Sequence, residues 1–214
     1  PNARSTLLGI ADSVLNRKVI WSDTRRLWRA RISAIADQFL AGEAKRQAEG
    51  VAFPPEVKGA LKLNQPDFTL VGTADRIDRL NDGRLAIYDY KTGEIPSRIE
   101  MEHFEKQLLL EAVMAEAGGF QDIPATDVAQ VGYIALNPSR SDRTDALEQI
   151  KDIDFRTSAI LDGLTRLVAA YGQPDRGYTA RRAVRETRFE GDFDQLARFG
   201  EWDDSDDPSP EDVS

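Results

Sequence analysis

The sequence predicts an α/β fold in which helices precede and follow a small set of strands. Three observations predict it. Residues 68–93, FTLVGTADRIDRLNDGRLAIYDYKTG, read as two strands joined by a tight turn. Stretches on both sides of this hairpin repeat their apolar residues at helical spacing. A β-rich apolar run at residues 128–136 supplies a further strand. With 214 residues, 41% of them hydrophobic, the chain can bury one good core, and one domain is expected.

Taken in order, residues 1–18 place Leu7, Leu8, Ile10, Ala11, Val14 and Leu15 at helical spacing. Ser22 or Asp23 caps a second, longer helix whose buried stripe is Leu27, Trp28, Ile32, Ile35, Ala36, Phe39 and Leu40. Arg25, Arg26, Arg29 and Arg31 crowd its first turns. They read first as a solvated face with ion pairs and second as contacts for phosphates. Gly50 and the pair Pro54 and Pro55 end the helix, and residues 56–63 alternate as a strand. Glu56, at its start, reads as an exposed edge-strand residue before it reads as a metal-site acid.

The hairpin carries too many charges for a core. Its first half alternates around Val71, Thr73, Asp75 and Ile77, and its second is the run Leu85, Ala86, Ile87, Tyr88. A strand has a side-chain period of two, so Asp89 and Lys91 share one face and Tyr90 takes the other. Whether Asp75 joins them depends on register. A three-residue loop of Asn81, Asp82 and Gly83, with Gly83 left-handed, pairs Leu80 with Arg84 and therefore Asp75 with Asp89. Asp78 falls on the opposite face from Asp75, where Arg76 is its natural partner.

After Gly93, Ile95 and Pro96 break the strand and Ser97 opens a helical region running to Ala117, closed by Gly118 and Gly119. Gln107 shares a face with Phe104, Glu111 and Met114. His103, the one histidine, lies four residues before Gln107 and reads as a partly exposed surface residue. Residues 128–136 form a buried strand, 137–141 a turn, 147–155 another strand, and Thr157 or Ser158 begins a helix through Tyr171. Beyond Pro174 the chain is irregular and basic at Arg176, Arg181, Arg182, Arg185 and Arg188, a second surface for phosphates or a counterweight to the acidic end.

Two buried carboxylates side by side repel at a cost of several kcal/mol, so a divalent cation is their natural partner. Oxygen ligands of this kind suit magnesium or manganese. Lys91 beside the ion can orient water or stabilise charge on a phosphate, which makes phosphodiester hydrolysis the leading chemistry. No apolar stretch is long enough to cross a bilayer and no signal-peptide pattern opens the chain, so a cytoplasmic protein is expected. Zero cysteines exclude disulfides, thiolate catalysis and cysteine-ligated zinc or iron-sulfur sites. The net charge of −9 is carried entirely by residues 190–214, leaving 1–189 balanced. Residues 203–214 are expected to be a disordered, solvated acidic tail.

The ordered series Gly72-Thr-Ala-Asp75-Arg76-Ile77-Asp78, then Asp89-Tyr90-Lys91-Thr92-Gly93, then Gln107-Leu108, resembles the RecB-like branch of the PD-(D/E)xK nucleases. Within that branch it is most similar to the C-terminal nuclease domains of AddB-type subunits of helicase-nucleases. That likeness extends to Gly118-Gly119-Phe120, to Gly191-Asp192-Phe193-Asp194-Gln195-Leu196-Ala197-Arg198, and to Glu201-Trp202. The resemblance implies a restriction-endonuclease-like core, a mixed β-sheet flanked by α-helices, over residues 1–202. It implies a magnesium-dependent DNA exonuclease of double-strand-break repair, working beside an AddA-type subunit. Asp75, Asp89 and the main-chain carbonyl of Tyr90 are then the metal ligands, and Lys91 and Gln107 the catalytic residues. RecB-like nucleases usually also carry a histidine on a helix upstream of the hairpin, and no such motif stands here. The expectation is therefore a fragment lacking its first upstream helix, with weak metal binding and low activity alone. The competing expectation is a non-catalytic module that keeps the fold to bind DNA or a helicase.

Overall fold

The computed structural model describes residues 2–137, 147–150, 153–174, 176 and 201. The turn at 138–141, Arg181 to Arg188, the motif at 191–198, Trp202 and the acidic tail at 203–214 lie outside the described residues. Two helices open the chain. In α1 (Ala3–Lys18) the Asn2 side chain accepts from the Arg4 N–H at 3.0 Å, and Arg17 and Lys18 sit at the negative end. In α2 (Ser22–Glu49) the N-cap position is Trp21, without a side-chain cap bond, so Ser22 and Asp23 fall inside the first turn rather than capping it. Asp23 pairs there with Arg26.

The two helices bury Leu8 and Ala11 of α1 and Ile35 and Ala36 of α2. Ion pairs Arg4–Asp37 at 3.0 Å and Arg29–Asp12 at 2.5 Å cross between them. The expected stripe of α2 is only partly buried. Leu27 is exposed, because the first turns of α2 have α1 to pack against and no sheet. The arginines there are partnered within the protein: Arg25 donates to the carbonyls of Val19 and Ile20, and Arg31 lies over the Trp28 ring.

The strands form two sheets. A five-stranded sheet has the order β1 (Gly50–Ala52), β4 (Arg76–Leu80), β5 (Leu85–Lys91), β6 (Val128–Ala135), β7 (Leu147–Ile150). A ribbon of β2 (Val57–Leu63) and β3 (Phe68–Ala74) stands apart from it. The sheet is mixed: β5 and β6 run parallel, and the other pairs are antiparallel. Parallel neighbours need a crossover, which α3 (Arg98–His103) and α4 (Gln107–Glu116) supply. α2 feeds straight into β1 at Gly50, where a Cβ would come within 2.4 Å of the Arg79 carbonyl oxygen.

The hairpin has the predicted register. Arg76 pairs with Tyr88 and Ile77 with Ile87, Leu80 N–H donates to the Arg84 carbonyl at 2.8 Å, and Gly83 is left-handed at φ 91°. The single first strand predicted from residue 68 to the turn is in fact two, because the chain leaves the ribbon and enters the main sheet at Asp75. The predicted common face breaks there: Val71 and Thr73 are exposed while Ile77 is fully buried.

One core lies between the sheet and α4. Ile77, Leu85, Ile87 and Val131 meet Leu108, Leu109, Ala112 and Met114. α5 (Ile153–Tyr171) packs against α4 and β6. It starts before the predicted Thr157, so of the expected strand at 147–155 the residues Leu147–Ile150 are strand and 153–155 belong to the helix. The predicted helix at 97–117 is two helices, with Phe104 to Lys106 between them. His103 and Phe104 therefore do not share a helix face with Gln107, and His103 is exposed, as its sequence context suggested.

On the opposite side of the sheet, Arg76 and Asp78 are buried and meet α2. Arg76 Nε and Nη2 donate to Asp78 at 2.7 and 2.9 Å, and Nη1 donates to Glu43 Oε2 at 2.5 Å. Burial alone would lower the Arg76 pKa, but Asp78 and Glu43 outweigh it and raise it. This ionic contact fastens the C-terminal half of α2 to the hairpin.

Candidate functional site

The site forms where three elements end. Asp75 occupies the bend between β3 and β4, Asp89 and Lys91 the last turn of the pleat in β5, and Gln107 the first position of α4. Backbone hydrogen bonding alternates along β5, so residues 84, 86, 88 and 90 face β4 and the odd ones face β6. Beyond Arg76 there is no further β4 residue to receive the Tyr90 N–H. The Asp75 side chain takes that role, its Oδ2 accepting from Tyr90 N–H at 3.1 Å. The carbonyl of Tyr90 lies on the same edge of the strand, as the alternation requires.

Asp89 and Lys91 share a face as predicted, with Lys91 Nζ 2.9 Å from Asp89 Oδ2. The ammonium also lies 5.5 Å from the centre of the Tyr133 ring on β6, a favourable cation–π distance. Burial pushes the Tyr133 hydroxyl up to about 12, with Glu105, Asp89 and Glu111 adding to the shift. Tyr90 points the other way, its hydroxyl accepting from Arg76 Nη1 at 3.2 Å. Gln107 Nε2 donates to Asp89 Oδ1 at 3.2 Å and to Glu111 Oε1 at 3.0 Å. The positive end of the α4 dipole therefore stands beside the Asp89 carboxylate.

Thus Asp75, Asp89, Tyr90, Lys91 and Gln107 come together through one continuous set of contacts. Glu56 does not join by its side chain: it is exposed, left-handed at φ 58°, and only its N–H reaches Asp75, through the main-chain carbonyl at 3.2 Å. Asp78 faces α2. Glu111 belongs to the group, although sequence reasoning gave it no role. Its signal is a carboxylate one helical turn after Gln107 in a run of apolar residues. Burial raises its pKa to about 7, Asp89 and Asp75 add to the rise, and Gln107 and Lys91 oppose it.

The donors fit a hard divalent cation. Glu111 Oε2 is buried and without a partner, and the buried Asp89 Oδ2 is met by the Lys91 ammonium. Among the described residues no three acidic or histidine side chains are grouped to hold an ion by themselves. Magnesium commonly takes only one or two protein carboxylates and keeps several waters, so a carboxylate pair with a main-chain carbonyl suits it.

A mixed sheet between helices, with its acids and lysine at the end of a central strand beside a helix N-terminus, defines an α/β protein of the restriction-endonuclease-like kind. The chain belongs to the PD-(D/E)XK nuclease superfamily, whose sequence model matches residues 3–202. An uncharacterized protein of Rickettsia conorii is 31% identical to it over 120 residues, and uncharacterized proteins of Rickettsia felis and Rickettsia typhi are 30% and 29% identical over the same length. The matched residues make up 55% of this chain and 14% of each relative, so the chain spans a small part of their length. Among solved structures, the crystal structure of SSO0001 is similar at 16% identity and a TM-score of 0.33, covering 77% of this chain and 85% of that one. No helix among the described residues is long and apolar enough to cross a membrane.

Proposed function

We propose that this chain is the nuclease domain of an AddB-type helicase-nuclease subunit, a DNA exonuclease that acts at double-strand breaks beside an AddA-type partner. The nuclease part of this reading is supported by the contact between Asp75 Oδ2 and the Tyr90 N–H at 3.1 Å, which joins the bend to the strand bearing Asp89 and Lys91; the AddB-type role is inferred from the sequence resemblance. In this reading Asp75, Asp89 and the Tyr90 carbonyl hold Mg2+ or Mn2+. The cation supplies Lewis-acid charge neutralisation and a nucleophile at neutral pH.

The chain's own residues do the rest. The Lys91 ammonium, held between Asp89 and the Tyr133 ring, faces the position where negative charge builds on the phosphate and stabilises it there. Gln107 fixes the Asp89 carboxylate from the side of α4 and limits its rotation. The half-buried Lys91 head keeps its charge close to the reacting group while water is partly excluded.

The test is cleavage of linear duplex DNA with Mg2+ by the full-length protein carrying Asp89→Ala or Lys91→Ala. We expect at least a hundredfold loss of cleavage, with DNA binding within about threefold of wild type. Unchanged cleavage in either variant contradicts the proposal and favours a scaffold that only binds DNA or a helicase.

A further inference from the structure

Glu111 is 4% exposed, yet its Oε2 has no hydrogen-bond donor, and on the neighbouring Asp89, 5% exposed, Oδ2 is met by the Lys91 ammonium at 2.9 Å. The pattern is paired. A single amide nitrogen, Gln107 Nε2, donates to Oδ1 of Asp89 and to Oε1 of Glu111, so Oδ2 of Asp89 is left to the Lys91 ammonium and Oε2 of Glu111 is left with no partner. A buried acid oxygen without a donor is costly and requires a reason. Purely structural packing does not provide one, since α4 is apolar around this position and an apolar side chain of equal volume would fill it at no electrostatic cost. The Lys91 ammonium beside Asp89 Oδ2 marks the place as one that takes positive charge.

We propose that Glu111 is a ligand of the divalent cation, acting from α4 opposite Asp89 on β5, with water completing the coordination. The inference rests on the reading above that the site takes a cation, and adds a wall to it. Oxygen donors of this number and hardness select Mg2+ or Mn2+ over softer metals. Gln107 then holds both carboxylates by one oxygen each and leaves Glu111 Oε2, with Asp89 Oδ2 beside Lys91, for the ion.

The experiment is Mn2+ titration of the full chain without DNA, by calorimetry and by the loss of the free-ion paramagnetic resonance signal, on wild type, Glu111→Gln and Asp89→Asn. Both variants are expected to weaken Mn2+ binding at least tenfold and to lose the Mn2+-induced rise in Tm. Glu111→Met, which keeps the volume, serves as a second variant with the same expected loss. Tm in chelator reports that each variant is folded. Unchanged Mn2+ affinity in the folded Glu111 variants with weakened binding in Asp89→Asn overturns this inference and leaves the proposed function standing. Unchanged affinity in all of them overturns both.

Discussion

At the scale of single residues, Glu111 makes a statement about pH. Its folded pKa of about 7 lies above the ordinary 4.5, so between those values the folded chain holds a proton that the unfolded chain has released. The metal-free protein is therefore most stable below about pH 4.5 with respect to this group, loses stability as pH rises, and levels off above about pH 7. The difference is worth roughly 3 kcal/mol. Glu111→Gln is expected to be more stable than wild type in chelator at pH 8 by roughly 2 to 3 kcal/mol in urea unfolding, with the gain vanishing near pH 4. A constant difference across that range contradicts the assignment of the shift to Glu111. The meeting of Asp89 with Lys91, and of Asp75 with the strand that bears them, was legible in the sequence because strand parity and the length of the Asn81-Asp82-Gly83 loop fix the register. Glu111 was given no role, because a lone carboxylate in the apolar run of α4 does not show by itself what it faces, and only the packing of α4 against α5 and the sheet buries it.

At the scale of elements, the hairpin and α2 form one unit through the buried cluster of Glu43, Arg46, Arg76 and Asp78. Arg76→Met strands the buried Asp78 carboxylate and leaves Glu43 to Arg46 and Gln47, and is expected to cost about 3 to 5 kcal/mol, read as a lower urea midpoint at unchanged m-value. Burial raises the Glu43 pKa and the hydrogen bonds from Arg76 more than reverse this, so it ends below 4.5. Its contribution to stability is present above pH 4.5 and is lost as pH falls through that depressed value. Glu43→Gln should accordingly flatten the acid limb of the stability curve. The partnership of Arg76 with Asp78 was readable from their alternation with Ile77, whereas the α2 end of the cluster was not, since Glu43 sits in a polar stretch without periodicity. The break between α3 and α4 was equally hidden. Ser97 and Glu100 announce the start of α3 through a capping box, but no glycine or proline marks its stop at Phe104.

At the scale of the whole molecule, a mixed sheet clasped by α2 on one side and α4 on the other leaves the end of its central strand open, and there the charged residues collect. The α/β class was legible because helical and strand periods alternate along the chain. The separation of β3 from β4 was not, because residues 68–80 carry one unbroken strand-like pattern and the switch of sheets at Asp75 depends on where β1 and β2 lie. Site and fold thus share a cause: the bend that divides the strand also turns the Asp75 carboxylate onto Tyr90. The most direct measurement is a crystal soaked in Mn2+, viewed by anomalous scattering at the manganese edge. The account predicts a peak within coordination distance of Asp75 and Asp89 beside the Tyr90 carbonyl. A well-ordered crystal with no peak there at millimolar Mn2+, or with the ion bound elsewhere, contradicts it.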